Sequence, residues 1–198
     1  MKEMNKKMQY NIRIIGGIII TLIFTWLMYQ DRVPTGTRTI VYANSYTPVI
    51  ESWSPPKRFL SAPDGAVEIV TDPVYLGVHL PRRFDSVTLR VWYKDPDSKL
   101  TRIGPRLASD RFDQWDYNLV PIEPDGEEGG WRIAKITSPL GTADFNKNIY
   151  TFIFSAPGLD KTQSRIIVKK VEFIFTREPL TWQKIERFLY IPSFIRRG

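Results

Sequence analysis

The sequence predicts an all-β protein, an antiparallel β-sandwich or jelly roll, preceded by one N-terminal transmembrane helix and followed by a short C-terminal helical tail. Three observations carry this. Residues 14–30 (IIGGIIITLIFTWLMYQ) hold no charge. Residues 66–176 hold seven or eight short runs of two-residue apolar periodicity, broken by turns such as Asp72-Pro73, Asp95-Pro96-Asp97 and Pro124-Asp125-Gly126, with no amphipathic helix between them. Fifteen prolines and twelve glycines against four methionines argue against a helical bundle, while 42% hydrophobic and 13% aromatic residues over 198 positions require a folded chain of one or two domains.

At about 1.5 Å per residue the seventeen uncharged positions span roughly 25 Å, so Tyr10, Ile12, Trp26 and Tyr29 are expected to bridge the interfaces of the lipid bilayer. A cleaved signal peptide needs a small-residue cleavage site, yet Trp26-Leu27-Met28-Tyr29-Gln30-Asp31 follows, so the segment reads as an uncleaved signal-anchor. Residues 1–13 carry Lys2, Lys6, Lys7 and Arg13 against Glu3, which places this N-terminus in the cytoplasm and everything from Asp31 onward outside it. That end supplies +3 of the net charge of +7, and the remaining basic residues are scattered among acids, so no nucleic acid partner is expected.

Residues 31–65, with Pro34, Pro48, Pro55, Pro56 and Pro63, read as a semi-rigid stalk leading into a first edge strand at 39–43, in which Trp53 serves to pin the stalk to the sandwich. The sandwich domain is expected over 66–178, with strands at 66–70, 74–80, 86–93, 115–120, 131–136, 150–155 and 165–176. In the last of these the apolar phase slips at Lys169-Lys170, which a β-bulge or a strand changing sheets would produce. Residues 179–198 form an amphipathic tail: Trp182, Ile185, Phe188 and Leu189 recur at helical spacing after Thr181. Such a helix fits packing on the sandwich or lying on the outer leaflet.

The order of elements in 66–176, including PVYLGVHLPRRFDSVTLRVWYKD and the late pair YTFIFSAPGLD…IIVKKVEFIF, resembles the galactose-binding-like jelly rolls found as carbohydrate-binding modules and as accessory domains of envelope proteins. The resemblance covers a little over half the chain and rests on strand rhythm. It implies a lectin-like or interaction role without catalysis, and it transfers no binding residue.

Chemistry read from the residues agrees. Zero cysteines remove thiolate metal sites, disulfides and a cysteine nucleophile, and the lone His79 has neither a second histidine for zinc nor a nucleophile-elbow serine to activate. Asp110, Asp113 and Asp116 lie in one loop and point in different directions, so no enzyme and no cofactor are expected. Asp95-Pro96-Asp97-Ser98 and Asp125-Gly126-Glu127-Glu128 have turn chemistry that also suits a structural calcium ion, but neither matches an EF-hand loop and no metal site is assigned.

Trp115 and Trp131 alternate with apolar neighbours and read as core. Trp92 does not. In 86–93 the apolar face is Val87, Leu89, Val91 and Tyr93, which leaves Thr88, Arg90, Trp92 and Lys94 opposite. If 74–80 pairs with this strand as a hairpin, Tyr75 falls across from Trp92, Gly77 across from Arg90 and His79 across from Thr88. Tyr75, His79, Arg90 and Trp92 are therefore the ligand-binding candidates, rings for stacking and a guanidinium for charge-assisted hydrogen bonds, unless a second layer of chain covers that face. The expected function is a membrane-anchored, extracytoplasmic, non-catalytic module binding a glycan or envelope polymer. Its rival is a structural subunit that docks on another membrane or envelope protein.

Overall fold

The computed structural model describes residues 2–32, 36–43, 47–109 and 116–178, and its described residues fall into two compact units, the N-terminal helix and a β unit that begins at Thr37. The candidate tail helix and the loop carrying Asp110, Asp113 and Trp115 lie outside the described residues.

Helix α1 runs Lys2–Arg32. Its segment Tyr10–Met28, 19 residues with a mean hydropathy of 1.8 and no part buried, is long and apolar enough to cross a membrane. At 1.5 Å per residue that is about 28 Å, close to a hydrocarbon core. The segment includes Arg13. Inside it, the Thr21 hydroxyl donates to the Gly17 carbonyl at 2.8 Å, which satisfies that hydroxyl without water.

Among the described residues eleven strands follow the helix: β1 (Gly36–Ala43), β2 (Phe59–Ser61), β3 (Val67–Ile69), β4 (Val74–His79), β5 (Ser86–Lys94), β6 (Arg102–Pro105), β7 (Val120–Pro121), β8 (Pro124–Glu128), β9 (Trp131–Pro139), β10 (Ile149–Ser155) and β11 (Ile166–Arg177). They form two sheets. The larger has the order β2-β3-β11-β5-β9-β8, with β1 also on β11, and the smaller has the order β4-β10-β6-β7. The pairings among β2 to β11 are antiparallel. The fold is thus the two-sheet β-sandwich that the alternation predicts.

Alternation also decides which side chains meet between the sheets. Val74, Leu76 and Val78 of β4 and Phe152 and Phe154 of β10 face Val87, Leu89 and Val91 of β5 and Phe173 and Phe175 of β11, all buried in one core. Phe152 and Phe173 touch across the sandwich at 5.0 Å between ring centroids, with Phe175 6.3 Å from Phe152. Burying each such ring stabilises the fold by about 1.5–3 kcal/mol, so this aromatic seam holds the two layers together. The phase slip in β11 is a β-bulge: its register against β5 jumps between Val168 and Lys170.

Three expectations need correction. The described residues of the expected 31–65 stalk belong, from Thr37 on, to the β unit. Strand β1 pairs with β11, residues 49–54 add to the free edge of β4 through Glu51 N–Gly77 O at 2.9 Å and Tyr75 N–Ser54 O at 2.8 Å, and Trp53 is buried 4.8 Å from the Phe154 ring. Pro48 and Pro55 flank this pairing instead of interrupting it, which is why proline content misleads here. Second, β4 and β5 do not pair: β4 lies beside β10 in the small sheet and β5 between β11 and β9 in the large one. Third, the strand expected at 115–120 reduces, among the described residues, to β7 and a bridge between Tyr117 and Arg106.

Candidate functional site

Crossing from one sheet to the other breaks the predicted hairpin yet preserves side-chain parity. Tyr75 and His79 face outward from the small sheet, whereas Arg90 and Trp92 face outward from the large sheet, so the four candidates divide between opposite sides of the sandwich. On the small sheet, Tyr75 stacks on Tyr117 at 6.3 Å between centroids, and His79 Nε2 lies 3.3 Å from Glu51 Oε1. Gly77 leaves room for the Glu51 side chain, which a Cβ there would strike, and not for Arg90. The Glu51 side chain, carried on this added edge, therefore lies over part of this side.

The large sheet presents a different surface. Arg90, 47% exposed in its side chain, pairs with Glu172 at 3.6 Å. Two residues on, Trp92 is half-buried and donates its indole N–H to Glu128 Oε2 at 2.9 Å. Beside it sits a residue that sequence reasoning put in the core. Trp131 and Ile133 of β9 face outward, because the inward positions of β9 are Ala134, Ile136 and Ser138. Trp92 lies opposite Ile133 in the register, which makes the two indoles diagonal neighbours on adjacent strands. A run of Trp-Arg-Ile-Ala-Lys-Ile is apolar at both odd and even positions, so parity alone leaves the face undecided. Only the length of the inward run through Ser138 settles it.

Each indole is capped by ammonium groups. Lys170 Nζ stands 4.1 Å from the centroid of Trp92, while Lys94 Nζ and Lys169 Nζ stand 4.6 and 5.3 Å from Trp131, all within cation–π range. The bulge in β11 is what delivers two consecutive lysines to one face, where strict alternation would send one inward. Across the sheet, Glu128 is held by a tight hairpin. Gly129 and Gly130 take φ of +57° and +76°, the two positive values that a two-residue type I′ turn demands, and Glu128 pairs directly with Trp131. Trp92, Glu128, Gly129, Trp131, Lys169 and Lys170 line a cavity of about 280 Å³.

Next to it, at the end of the sheet, is a larger open cavity of about 880 Å³ whose lining includes Lys94, Asp97, Glu127, Arg132, Ser164 and Arg165. Two of its acids are engaged within the protein: Asp95 Oδ2 accepts from the Leu100 amide at 2.7 Å, and Asp97 accepts a very short hydrogen bond from the Ser164 hydroxyl. Asp95 therefore caps its own turn. Among the described residues no three His, Asp or Glu side chains converge as a metal site would need.

No protein-family model matches the sequence, and neither does any curated protein. Solved structures do show a likeness of chain course. A family 11 carbohydrate-binding module from Clostridium thermocellum in complex with a mixed-linked β-1,3-1,4 tetrasaccharide is 13% identical, with a TM-score of 0.38, over 74% of this chain and 100% of that one. The xylan-binding module CBM15 is 16% identical with a TM-score of 0.35, over 73% of this chain and 94% of that one. A family GH115 4-O-methyl-α-glucuronidase with specificity for decorated arabinogalactans is 16% identical with a TM-score of 0.39, and the match covers 71% of this chain but only 18% of the other. The chain likewise spans 36% of a family two carbohydrate esterase from Cellvibrio japonicus and 25% of a xylanase chain from Clostridium thermocellum.

Proposed function

We propose that this chain is a membrane-anchored, non-catalytic module that binds a glycan or other envelope polymer on the outer face of its large sheet, with residues 1–13 in the cytoplasm and the sandwich outside. The observation that carries the reading is the Trp92–Trp131 pair, two indoles side by side on an accessible sheet face above a cavity of about 280 Å³. Flat apolar rings with a polar rim are what the C–H faces of a sugar ring stack against, and a strand surface holds them rigidly enough to do so. Arg90 stands on the same face two residues from Trp92, at the margin of the site.

The test is retention of the full chain, in a detergent without a sugar head group, on immobilised envelope polysaccharide. Trp92→Ala and Trp131→Ala are each expected to abolish retention while changing stability by about 1 kcal/mol or less, because both rings are only half-buried. A loss of about 3–5 kcal/mol, the cost of emptying an aromatic core position, would show that the rings serve packing and not binding. If instead a protein co-purifies stoichiometrically and its release depends on Trp92, the surface docks a partner subunit and the glycan reading fails.

A further inference from the structure

We propose that the polymer bound by this face is an anionic polysaccharide, one bearing carboxylates on successive sugars, laid lengthwise from the Trp92–Trp131 cavity into the larger cavity beyond Lys94. The inference rests on the reading of this face as a glycan site and adds to it the charge and the extent of the ligand.

Its first ground is where the lysines are. Lys94, Lys169 and Lys170 form no ion pair among the described residues, and their ammonium groups stand over indole rings at 4.6, 5.3 and 4.1 Å. Of the acids nearby, Glu128 accepts the Trp92 indole N–H and Asp97 the Ser164 hydroxyl, and neither is paired with these lysines. A neutral sugar stacking on either ring must push an ammonium aside and gives it nothing in return. A sugar carboxylate accepts a charge-assisted hydrogen bond from the same ammonium as it leaves the ring, so displacement and recognition become one event. The capping lysines thus select for acid.

Continuity of the surface is the second ground. Lys94 covers Trp131 and also lines the larger cavity, and the Glu127–Gly130 hairpin borders both, with Glu128 and Gly129 on one side and Glu127 and Gly130 on the other. Beyond Lys94 the larger cavity carries Arg165, 55% exposed in its side chain though paired with Glu68 at 2.9 Å, and Arg132, which donates to the Asp95 carbonyl at 3.0 Å. Basic residues therefore border both cavities, with Lys94 between them, which suits a repeating anion better than a single charged group.

The experiment is isothermal titration of the full chain, in a polyoxyethylene detergent, with a long oligogalacturonate, a short one and neutral cello-oligosaccharide, alongside a sedimentation assay with vesicles containing phosphatidylglycerol. The long oligogalacturonate is expected to bind at least about tenfold tighter than the neutral chain, with the preference shrinking as salt rises from about 0.05 to about 0.5 M. Lys169→Gln/Lys170→Gln should erase the preference without changing the thermal melt. Lys94→Gln should weaken the long oligomer more than the short one. Equal binding of the neutral chain would overturn the anionic claim and leave the glycan reading standing, whereas equal binding of the short and long acids would remove the lengthwise claim. Capture by the vesicles alone, or no saccharide binding at all, would overturn both this inference and the reading it rests on.

Discussion

Two glycines show how a single hydrogen in place of a methyl sets local structure. At Gly104 in β6 a Cβ would run into the backbone carbonyl of Asn118, whose own amide donates to the Pro105 carbonyl at 3.0 Å. Main chain cannot step aside cheaply, so Gly104→Ala is expected to cost about 1–3 kcal/mol in urea unfolding, the range of an overpacked core. At Gly77 the obstacle is the Glu51 carboxylate, the far end of a flexible and 44%-exposed side chain. Gly77→Ala should therefore cost less than about 1 kcal/mol, and displace Glu51 from His79, read as a change in the His79 ring-proton shifts. Since both residues face away from the large sheet, polysaccharide retention should be unchanged. An equal penalty at the two positions would show that the approach of Asn118 to β6 is softer than the geometry implies.

Among elements, the β8–β9 hairpin links backbone geometry most directly to the candidate site. Left-handed φ at both Gly129 and Gly130 fixes the register that sets Glu128 opposite Trp131, and Glu128 in turn holds the Trp92 indole. Replacing both glycines by alanine is expected to cost about 2–4 kcal/mol at 1–2 kcal/mol per strained residue and to lower polysaccharide retention. Gly129→Asn alone should be tolerated, since asparagine followed by glycine is the pair this turn type favours. Stability loss with retention intact would mean that the hairpin does not position the indoles. This hairpin also marks the limit of what the sequence makes legible. Strands with clean alternation, such as β4, β5 and β10, and the bulge in β11 are readable because apolar parity records burial directly. Strands β2, β6, β7 and β8 are short or wholly polar, so backbone pairing holds them without leaving a pattern in the side chains. The candidate site is half legible for the same reason. Parity places Trp92 and Arg90 outward correctly, but which strands become neighbours is a long-range property, so it joins Tyr75 and His79 to them wrongly. The outward Trp131 ring leaves no clear mark, since apolar residues fall on both parities around it, and although parity and the phase slip locate Lys94, Lys169 and Lys170, their place over the indoles depends on which strands become neighbours.

At the scale of the whole molecule, the aromatic core and the apolar helix each give rise to one testable property. Burial raises the hydroxyls of Tyr42, Tyr93, Tyr117 and Tyr150 above the ordinary tyrosine value, most strongly at Tyr117. An unfolded chain releases these protons near pH 10 while the folded one still holds them, so the stability these tyrosines contribute should be constant below about pH 9 and fall as pH rises past about 10. Tyr150→Phe should lower stability at pH 7 by about 1 kcal/mol, because the Phe84 amide that donates to its hydroxyl at 3.2 Å loses its acceptor, and yet flatten the alkaline slope. The helix sets the second property, topology. In the proposed topology, positive charge concentrated in residues 1–13 should hold that end in the cytoplasm, and a span of 19 residues followed by Asp31 should carry the β unit to the other side. With no native cysteine, single thiols report this without background. In intact cells or spheroplasts an impermeant maleimide should label Ser98→Cys, in the exposed β5–β6 loop, and spare Asn5→Cys until the membrane is permeabilised. Labelling of position 5 alone would invert the orientation and remove the glycan reading, since an envelope polymer would then be out of reach. A mature N-terminus near residue 31 would instead show that the helix is cleaved, freeing the sandwich from the membrane while leaving its binding face intact.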